Sequence, residues 1–214
     1  MIHSSPDRAY RALPDPAPGE VRFRVAIEEA DLLVSAASDL SEDVFAFLGE
    51  IRGALKTYIL LKPDFTSSLT PLPQDPAAPE VAQRMLEAAA ACGVGPMAAV
   101  AGTIAQAVAD RFAPISPDIL VENGGDLSMH STRERTVALL AKPVQGARLA
   151  LRLAPEEFPL SLCTSSATIG HSLSFGAADL VTVKARSVAF ADAAATTLGN
   201  LARSADHLGL VLER

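Results

Sequence analysis

Residues 118–130 read Asp-Ile-Leu-Val-Glu-Asn-Gly-Gly-Asp-Leu-Ser-Met-His, with a β-like apolar run on each side of a polar turn. Asn-Gly or Gly-Gly between such runs is the strongest short hairpin signal, because both turn positions need positive φ. The segment therefore predicts a β-hairpin whose turn contains Asn123, Gly124, Gly125 and Asp126. A second interpretation stays open, since residues without side chains let a ligand reach main-chain amides and Asp126 can accept from a ligand hydroxyl or ring nitrogen.

Strands and helices are expected on both sides of this hairpin. Val21 to Glu28 alternates apolar and polar residues, which predicts a half-buried strand with residues 31–36 as its hairpin partner. Apolar residues at helical spacing after Ser41 predict a helix up to Pro63. Further helices are expected at 80–92, 96–112 and 187–203, and further strands at 118–121, 127–130, 136–141, 148–153 and 180–184. This order predicts an α+β fold, a mostly antiparallel sheet with helices packed on one face.

The chain is predicted to form one domain after a short arm. Residues 1–20 contain four prolines and are typical of an irregular N-terminal arm. The length of 214 residues favours a single domain over residues 21–214. Five prolines between Lys62 and Pro79 predict a long surface flap within that domain, because both sides of the segment belong to one core.

The charge pattern narrows the classes of partner. Lys and Arg number 18 against 25 Asp and Glu, a formal net charge of −7. The basic residues form no stripe, so neither a nucleic acid nor a membrane is expected as a partner. The start lacks the layout of a signal peptide, and Cys92 and Cys163 give no disulfide scaffold, so a cytoplasmic chain is expected. Residues 88–109 carry no charge, and their Ala and Gly content favours two closely packed core helices.

Asp192 and Thr196 are candidate metal ligands. They lie four residues apart in a predicted helix and so share one face, where a carboxylate and a hydroxyl can coordinate one hard cation. The alanines between them leave room for a phosphate. The alternative is structural, because an Asp near a helix start is commonly a cap and a helical Thr bonds to the preceding turn.

Residues 163–172 are predicted to form a polar binding loop, because they combine several hydroxyl side chains with a thiol and an imidazole. The candidate binding residues are Thr164, Ser165, Ser166 and His171. No Gly-x-Ser-x-Gly elbow surrounds a serine, and a buried structural Cys163 is favoured over a nucleophile. His171 is either a satisfied hydrogen-bonding residue or part of a binding site, and hydroxyl residues flank it on both sides.

Five motifs together resemble a small uncharacterised prokaryotic family. They are Gly-Val-Gly-Pro-Met-Ala-Ala-Val-Ala-Gly at 93–102, Glu-Asn-Gly-Gly-Asp at 122–126, Cys-Thr-Ser-Ser at 163–166, Gly-His-Ser-Leu-Ser-Phe-Gly at 170–176 and Ala-Asp-Ala-Ala-Ala-Thr at 191–196. That family is similar to the ApbE superfamily, the FAD:protein FMN transferases once called thiamine-biosynthesis lipoproteins. The resemblance implies an ApbE-like, T-fold-related fold. It also implies Mg²⁺ held by Asp192 and Thr196, and a flavin near Gly124, Gly125, Asp126, Thr164 and Ser165.

The chain also departs from the transferase pattern. After His171 it continues as Ser-Leu-Ser-Phe-Gly, where the transferases have His-Ile-x-Asp-Pro-x-Thr-Gly, and the Lys of their Ala-Lys-Gly-Tyr motif has no counterpart at 105–110. With these departures, the resemblance implies a protein that binds FAD, FMN or another small phosphorylated ligand with Mg²⁺. Whether it also acts on that ligand, as a hydrolase or transferase, stays open at this point. The alternative is a non-catalytic oligomeric interaction protein that keeps only the fold. A homo-oligomer, most simply a dimer, is expected from the apolar content.

Overall fold

The computed structural model of the protein describes residues 16–139, 149–167 and 176–213. The strands are β1 (Val21–Ile27), β2 (Ala30–Ala36), β3 (Ile119–Asn123), β4 (Asp126–His130), β5 (Arg135–Leu139), β6 (Leu149–Leu153), β7 (Leu160–Ser165) and β8 (Val181–Ala185). The order β1-β2-β3-β4-β7-β8 forms one sheet, and β5 and β6 form a second, two-stranded sheet. All of these described pairings are antiparallel.

The α-helices come in two groups along the chain, four between β2 and β3 and two after β8. They are α1 (Ser41–Leu61), α2 (Asp64–Ser67), α3 (Glu80–Cys92), α4 (Val100–Phe112), α5 (Val188–Leu201) and α6 (Leu208–Glu213). A 3₁₀ turn, Pro96–Ala99, leads directly into α4. Gly93 ends α3 with a left-handed φ of 73°, as its position after the apolar pattern predicted.

The long helices cover one face of the large sheet. Val34, Val121 and Ser128 are opposite one another on β2, β3 and β4, so their side chains project from the same face. On this face the two valines join a core shared with α1, α3 and α4. Met129 and Leu160 project from the other face and pack beneath β5 and β6. The predicted α+β architecture, with helices on one face of an antiparallel sheet, is confirmed.

Two predicted elements differ in the structure. The helix predicted from residue 96 begins as the 3₁₀ turn, and α4 starts at Val100. Residues 160–165 form the inner strand β7, so the prediction of a polar loop over 163–172 is wrong for its first three residues. The reason is that Ser161, Cys163 and Ser165 occupy the helix-facing side of β7, where apolar side chains would have made the strand visible in the sequence.

The predicted flap at 62–79 lies on the core. Phe65 in α2 is fully buried, and Tyr58 of α1 donates a hydrogen bond to Asp75 at 3.1 Å. The main chain of the flap passes directly over Gly95, because a Cβ placed there would lie 1.8 Å from the carbonyl oxygen of Ser68. The flap and the turn before α4 are therefore packed against each other.

The uncharged stretch 88–109 belongs to this core. It spans the end of α3 and most of the helical segment 96–112, and it contributes the buried side chains of Ala89, Ala105 and Val108. Among the described residues no single helix has both the length and the apolar content of a membrane span. The helical segments 80–92 and 96–112 reach that length and apolar content only when taken together, and the chain bends by 106° between them. Of the predicted arm, residues 16–20 contain a turn without helix or strand, and residues 1–15 lie outside the described ranges. A single domain over 21–214 stays a prediction.

Candidate functional site

The predicted hairpin turn is confirmed, and its glycines have the expected conformation. Asn123 pairs with Asp126 where β3 and β4 meet. Gly124 and Gly125 have φ values of 67° and 106°, which a side chain would strain. The N–H of Gly125 donates to Oε1 of Glu122 at 2.8 Å. A ligand can therefore use the Gly125 amide only if the Glu122 side chain moves away.

Two buried side chains connect the turn to neighbouring elements. The Asn123 amide donates from Nδ2 to the carbonyl oxygen of Ala101 at 3.0 Å, next to the start of α4. The N–H of Thr164 donates to Oδ1 of Asp126 at 3.2 Å, which connects the turn to β7. Asn123 and Asp126 thus hold the hairpin tip against α4 and β7, and this fixes the position of the Asp126 carboxyl group.

Asp192 reaches the same region from α5. Its Oδ2 accepts a hydrogen bond from the N–H of Gly102 at 2.8 Å. Gly102 is the third residue of α4, where a main-chain N–H has no partner within its own helix and a negative charge is favourable. Asp192 therefore does cap a helix, which was the structural alternative, but the helix is α4. The start of its own helix, α5, is capped by Ser187.

The carboxyl groups of Asp126, on β4, and Asp192, on α5, lie close enough for each to shift the pKa of the other. Burial raises the pKa of Asp126 to about 7, and the nearby Glu122 charge adds to the rise. Burial and the charge of Asp126 raise the pKa of Asp192 well above its ordinary value. Two carboxyl groups this close cannot both ionise easily without a compensating charge. They can hold a shared proton, or a cation in its place.

Cys163 lies beside this pair. Its side chain is fully buried, and its Sγ contacts the carbonyl oxygen of Val188 at 3.6 Å. Burial and the neighbouring carboxylates raise the pKa of the thiol far above its ordinary value. A thiol that stays protonated is a poor nucleophile, which supports the structural role predicted for Cys163.

The remaining predicted site residues lie on different elements, and only some of their side chains face the carboxyl pair. Thr196 lies one helical turn after Asp192, and its hydroxyl group makes no hydrogen bond to another described residue. Ser165 projects from the same face of β7 as Cys163 and is 4% exposed. Thr164 offers its N–H to Asp126, but its side chain points to the other face, towards Thr182 at 3.4 Å. Ser166 donates to the carbonyl of Asp179 at 2.6 Å. His171 lies outside the described ranges.

Sequence reasoning assigned no role to two residues that shape the site, Gly102 and Glu122. A glycine inside a helical pattern is itself a signal, because it costs helix stability and so indicates a close contact. Glu122 directly precedes the turn, three residues before the amide that it binds. Neither signal says which carboxylate or amide is the partner, since that depends on how α5 packs on the sheet.

The oxygen atoms around the pair suit a small divalent cation. Asp126 and Asp192 supply two carboxylates that no described Lys, Arg or His pairs with. Thr196 supplies a hydroxyl that has no partner in the described part of the chain. Mg²⁺ is typically bound by one or two carboxylates, with the remaining ligands from water and substrate phosphates. Within the described ranges no group of three or more His, Cys, Asp and Glu could hold a metal ion, so a cation here would depend on such additional ligands.

The fold is that of the ApbE flavin transferases. The chain matches the crystal structure of the apo form of the Pseudomonas stutzeri flavinyl transferase ApbE with a TM-score of 0.58 and 17% identity, over 89% of this chain and 86% of that chain. It matches the flavin transferase ApbE from Vibrio cholerae with a TM-score of 0.51 and 13% identity, over 84% and 86%. At these identities the likeness concerns the fold.

The sequence comparisons define the family more narrowly. The model of the family described as AbpE bacteria matches residues 12–211, and the chain belongs to that family. It is 44% identical over 153 residues to a UPF0280 protein of Archaeoglobus fulgidus, which is 71% of this chain and 62% of that protein. It is 40% identical over 188 residues to a UPF0280 protein of Methanopyrus kandleri, which is 86% and 75%. The match thus spans about three fifths of the length of the Archaeoglobus relative.

Proposed function

We propose that this protein binds a flavin nucleotide together with Mg²⁺ at the pair formed by Asp126 and Asp192, and acts on the phosphate groups of that nucleotide as a hydrolase or transferase. The observation that supports this most strongly is the pair itself, two adjoining carboxyl groups with no described basic side chain to neutralise them. Natural cores rarely retain such a pair without a use for it, because it costs stability once both groups ionise. A bound cation removes that cost.

Each residue would have a definite task. Asp192 and Thr196 would hold the cation from one face of α5, and Asp126 would face it from β4. Asn123 keeps the hairpin tip, and with it Asp126, against the start of α4. When bound, Mg²⁺ would stabilise negative charge that develops on a phosphate oxygen. The flavin would lie beside Gly124 and Gly125, where no Cβ blocks its approach.

The reaction class follows from what the chain retains and what it lacks. The Gly-Gly-Asp turn and the Asp-x-x-x-Thr pair are present, whereas the Asp-Pro-x-Thr-Gly segment of the transferases is not. Water needs no docking surface, while a peptide acceptor does. We therefore propose that a small phosphorylated ligand is bound or hydrolysed more readily than a protein is modified.

The second candidate function is a non-catalytic interaction protein, and one contact favours it. The hydrogen bond from Gly102 to Asp192 gives this carboxylate a structural duty that needs no ligand. On this alternative, Asp192→Ala lowers the free energy of unfolding by about 1 kcal/mol, the usual effect of losing a cap, and changes no binding.

Equilibrium binding separates the two candidates. Purified protein is titrated with FAD, FMN and ADP, each with and without Mg²⁺, and binding is followed by calorimetry. Binding of at least one of the three that requires Mg²⁺ supports the proposed function. If none of the three shows binding that depends on Mg²⁺, the proposal is wrong and the interaction protein is favoured. The predicted homodimer and cytoplasmic location stay proposals, and light scattering that finds only species of about 22 kDa at micromolar concentration would contradict the dimer.

A further inference from the structure

Gly102 is a point of close approach between α4 and α5. A Cβ atom added to it would lie 2.9 Å from Cβ of Asp192, 3.0 Å from the carbonyl oxygen of Val188 and 3.1 Å from Oδ2 of Asp192. The backbone atoms of α5 cannot move away without shifting the whole helix. Only a residue without a side chain therefore lets Asp192 approach the start of α4 this closely.

The same residue restricts the Asp192 carboxylate. Its N–H occupies Oδ2, while Oδ1 has no main-chain donor among the described residues. The N–H on Oδ2 competes with a cation that would bind through both oxygens of the carboxylate, as Ca²⁺ commonly does. Mg²⁺ is smaller, has nearly octahedral geometry and takes one oxygen from a carboxylate.

We propose that Gly102 is a positioning residue: its main-chain N–H and its missing side chain fix Asp192 so that the carboxylate offers one oxygen to a cation, which selects Mg²⁺ or Mn²⁺ over Ca²⁺. This inference rests on the proposed function. A helix cap alone would affect only stability, whereas this role predicts that a single main-chain amide affects which cation binds. Partners that orient metal ligands typically change metal affinity by about 10–100-fold when they are removed.

The first test compares Gly102→Ala with Gly53→Ala. Gly53 is a good control because it lies in α1 and an added Cβ has no neighbour within 4 Å. We expect the wild-type protein and Gly53→Ala to bind Mn²⁺ equally and to prefer Mn²⁺ and Mg²⁺ to Ca²⁺. Gly102→Ala should bind Mn²⁺ about 10–100-fold more weakly. Equal Mn²⁺ affinity in a folded Gly102→Ala protein, or Ca²⁺ binding as tight as Mg²⁺ binding in the wild type, would overturn the inference.

A second measurement does not depend on whether Gly102→Ala folds. Ala-Gly occurs once in the sequence, at Ala101-Gly102. Labelling with carbonyl-¹³C alanine and ¹⁵N glycine therefore gives one cross-peak in a spectrum that correlates an amide with the preceding carbonyl. We expect this peak to move when Mg²⁺ is added to the wild type, and not in Asp192→Ala. If the wild type binds Mg²⁺ but this peak does not move, the inference about Gly102 is wrong and the proposed function is unaffected. If the wild type binds no divalent cation, the proposed function is wrong as well.

Discussion

The side chains of Asp126, at the end of a hairpin turn, and Asp192, in α5, bring their carboxyl groups close enough for each to shift the pKa of the other. Each carboxylate also accepts a main-chain N–H, from Thr164 and Gly102 respectively. These amides hold both groups in place without neutralising them. No positively charged side chain in the described part of the chain compensates the pair.

Stability without ligand should fall as the pH rises. The pKa of Asp126 is about 7 in the folded protein and near 3.8 when unfolded, so the protonated group favours folding below about pH 4 and this contribution is lost as the pH rises towards 7. We expect a lower melting temperature at about pH 8 than at about pH 5, and a smaller difference in Asp126→Asn, which carries no charge. Saturating Mg²⁺ should raise the melting temperature of the wild type at about pH 8 back towards its value at about pH 5. A wild-type melting temperature that does not change between about pH 5 and about pH 8 would contradict the raised pKa of Asp126.

The carboxyl group of Asp118 affects stability in a lower pH range. Burial opposes ionisation of Asp118, but hydrogen bonds from Thr132 and Ser131, with the charge of Arg135, outweigh it and lower the pKa of Asp118 to about 2. Its stabilising effect is present above about pH 4 and is lost as the pH falls towards 2. Asp118→Asn should cost about 2 kcal/mol of unfolding free energy at neutral pH and weaken the acid dependence. Denaturant unfolding at several pH values measures both, and an unchanged free energy at pH 7 would show that the network contributes nothing.

Gly95 should be intolerant of a side chain. A Cβ there would lie 1.8 Å from the carbonyl oxygen of Ser68, so Gly95→Ala must displace the main chain of the flap. We expect destabilisation of about 1–3 kcal/mol, typical of overpacking, together with faster proteolysis within 62–79. Gly53→Ala, whose added Cβ has open space, should show neither effect. Identical melting and cleavage in the two variants would mean that the flap is not held at Gly95.

Transfer of FMN to a protein should be absent or very slow. The chain lacks the Asp-Pro-x-Thr-Gly segment that its resemblance to the transferases would place after His171, and we expect a peptide acceptor to bind poorly without it. Incubation with FAD, Mg²⁺ and an acceptor protein that is known to be flavinylated tests this by flavin fluorescence in a denaturing gel. A strong fluorescent band that Asp192→Asn abolishes would show that the missing segment is not required.

Local patterns were sufficient for most of the fold and for part of the site. The hairpin at Asn123 to Asp126 and the end of α3 at Gly93 follow from backbone preferences that act within a few residues. Strand β7 was missed because its helix-facing residues are small and polar, and it is recognisable as a strand only beside its neighbours. The partnership of Asp192 with Gly102 was not predictable either. It connects residues far apart in the chain and depends on the packing of α4 against α5.

The most direct test of the central claim is the affinity for FAD in the presence of Mg²⁺, measured by calorimetry for the wild type, Asp192→Asn and Asp43→Asn. The asparagine at 192 keeps an acceptor for the Gly102 amide while it removes the charge, and Asp43 is an exposed aspartate on α1. We predict that FAD binds the wild type and Asp43→Asn equally well, and that Asp192→Asn loses at least about ten-fold in affinity. FAD binding by folded Asp192→Asn that equals the wild type, or that is indifferent to Mg²⁺ in all three proteins, would contradict the account.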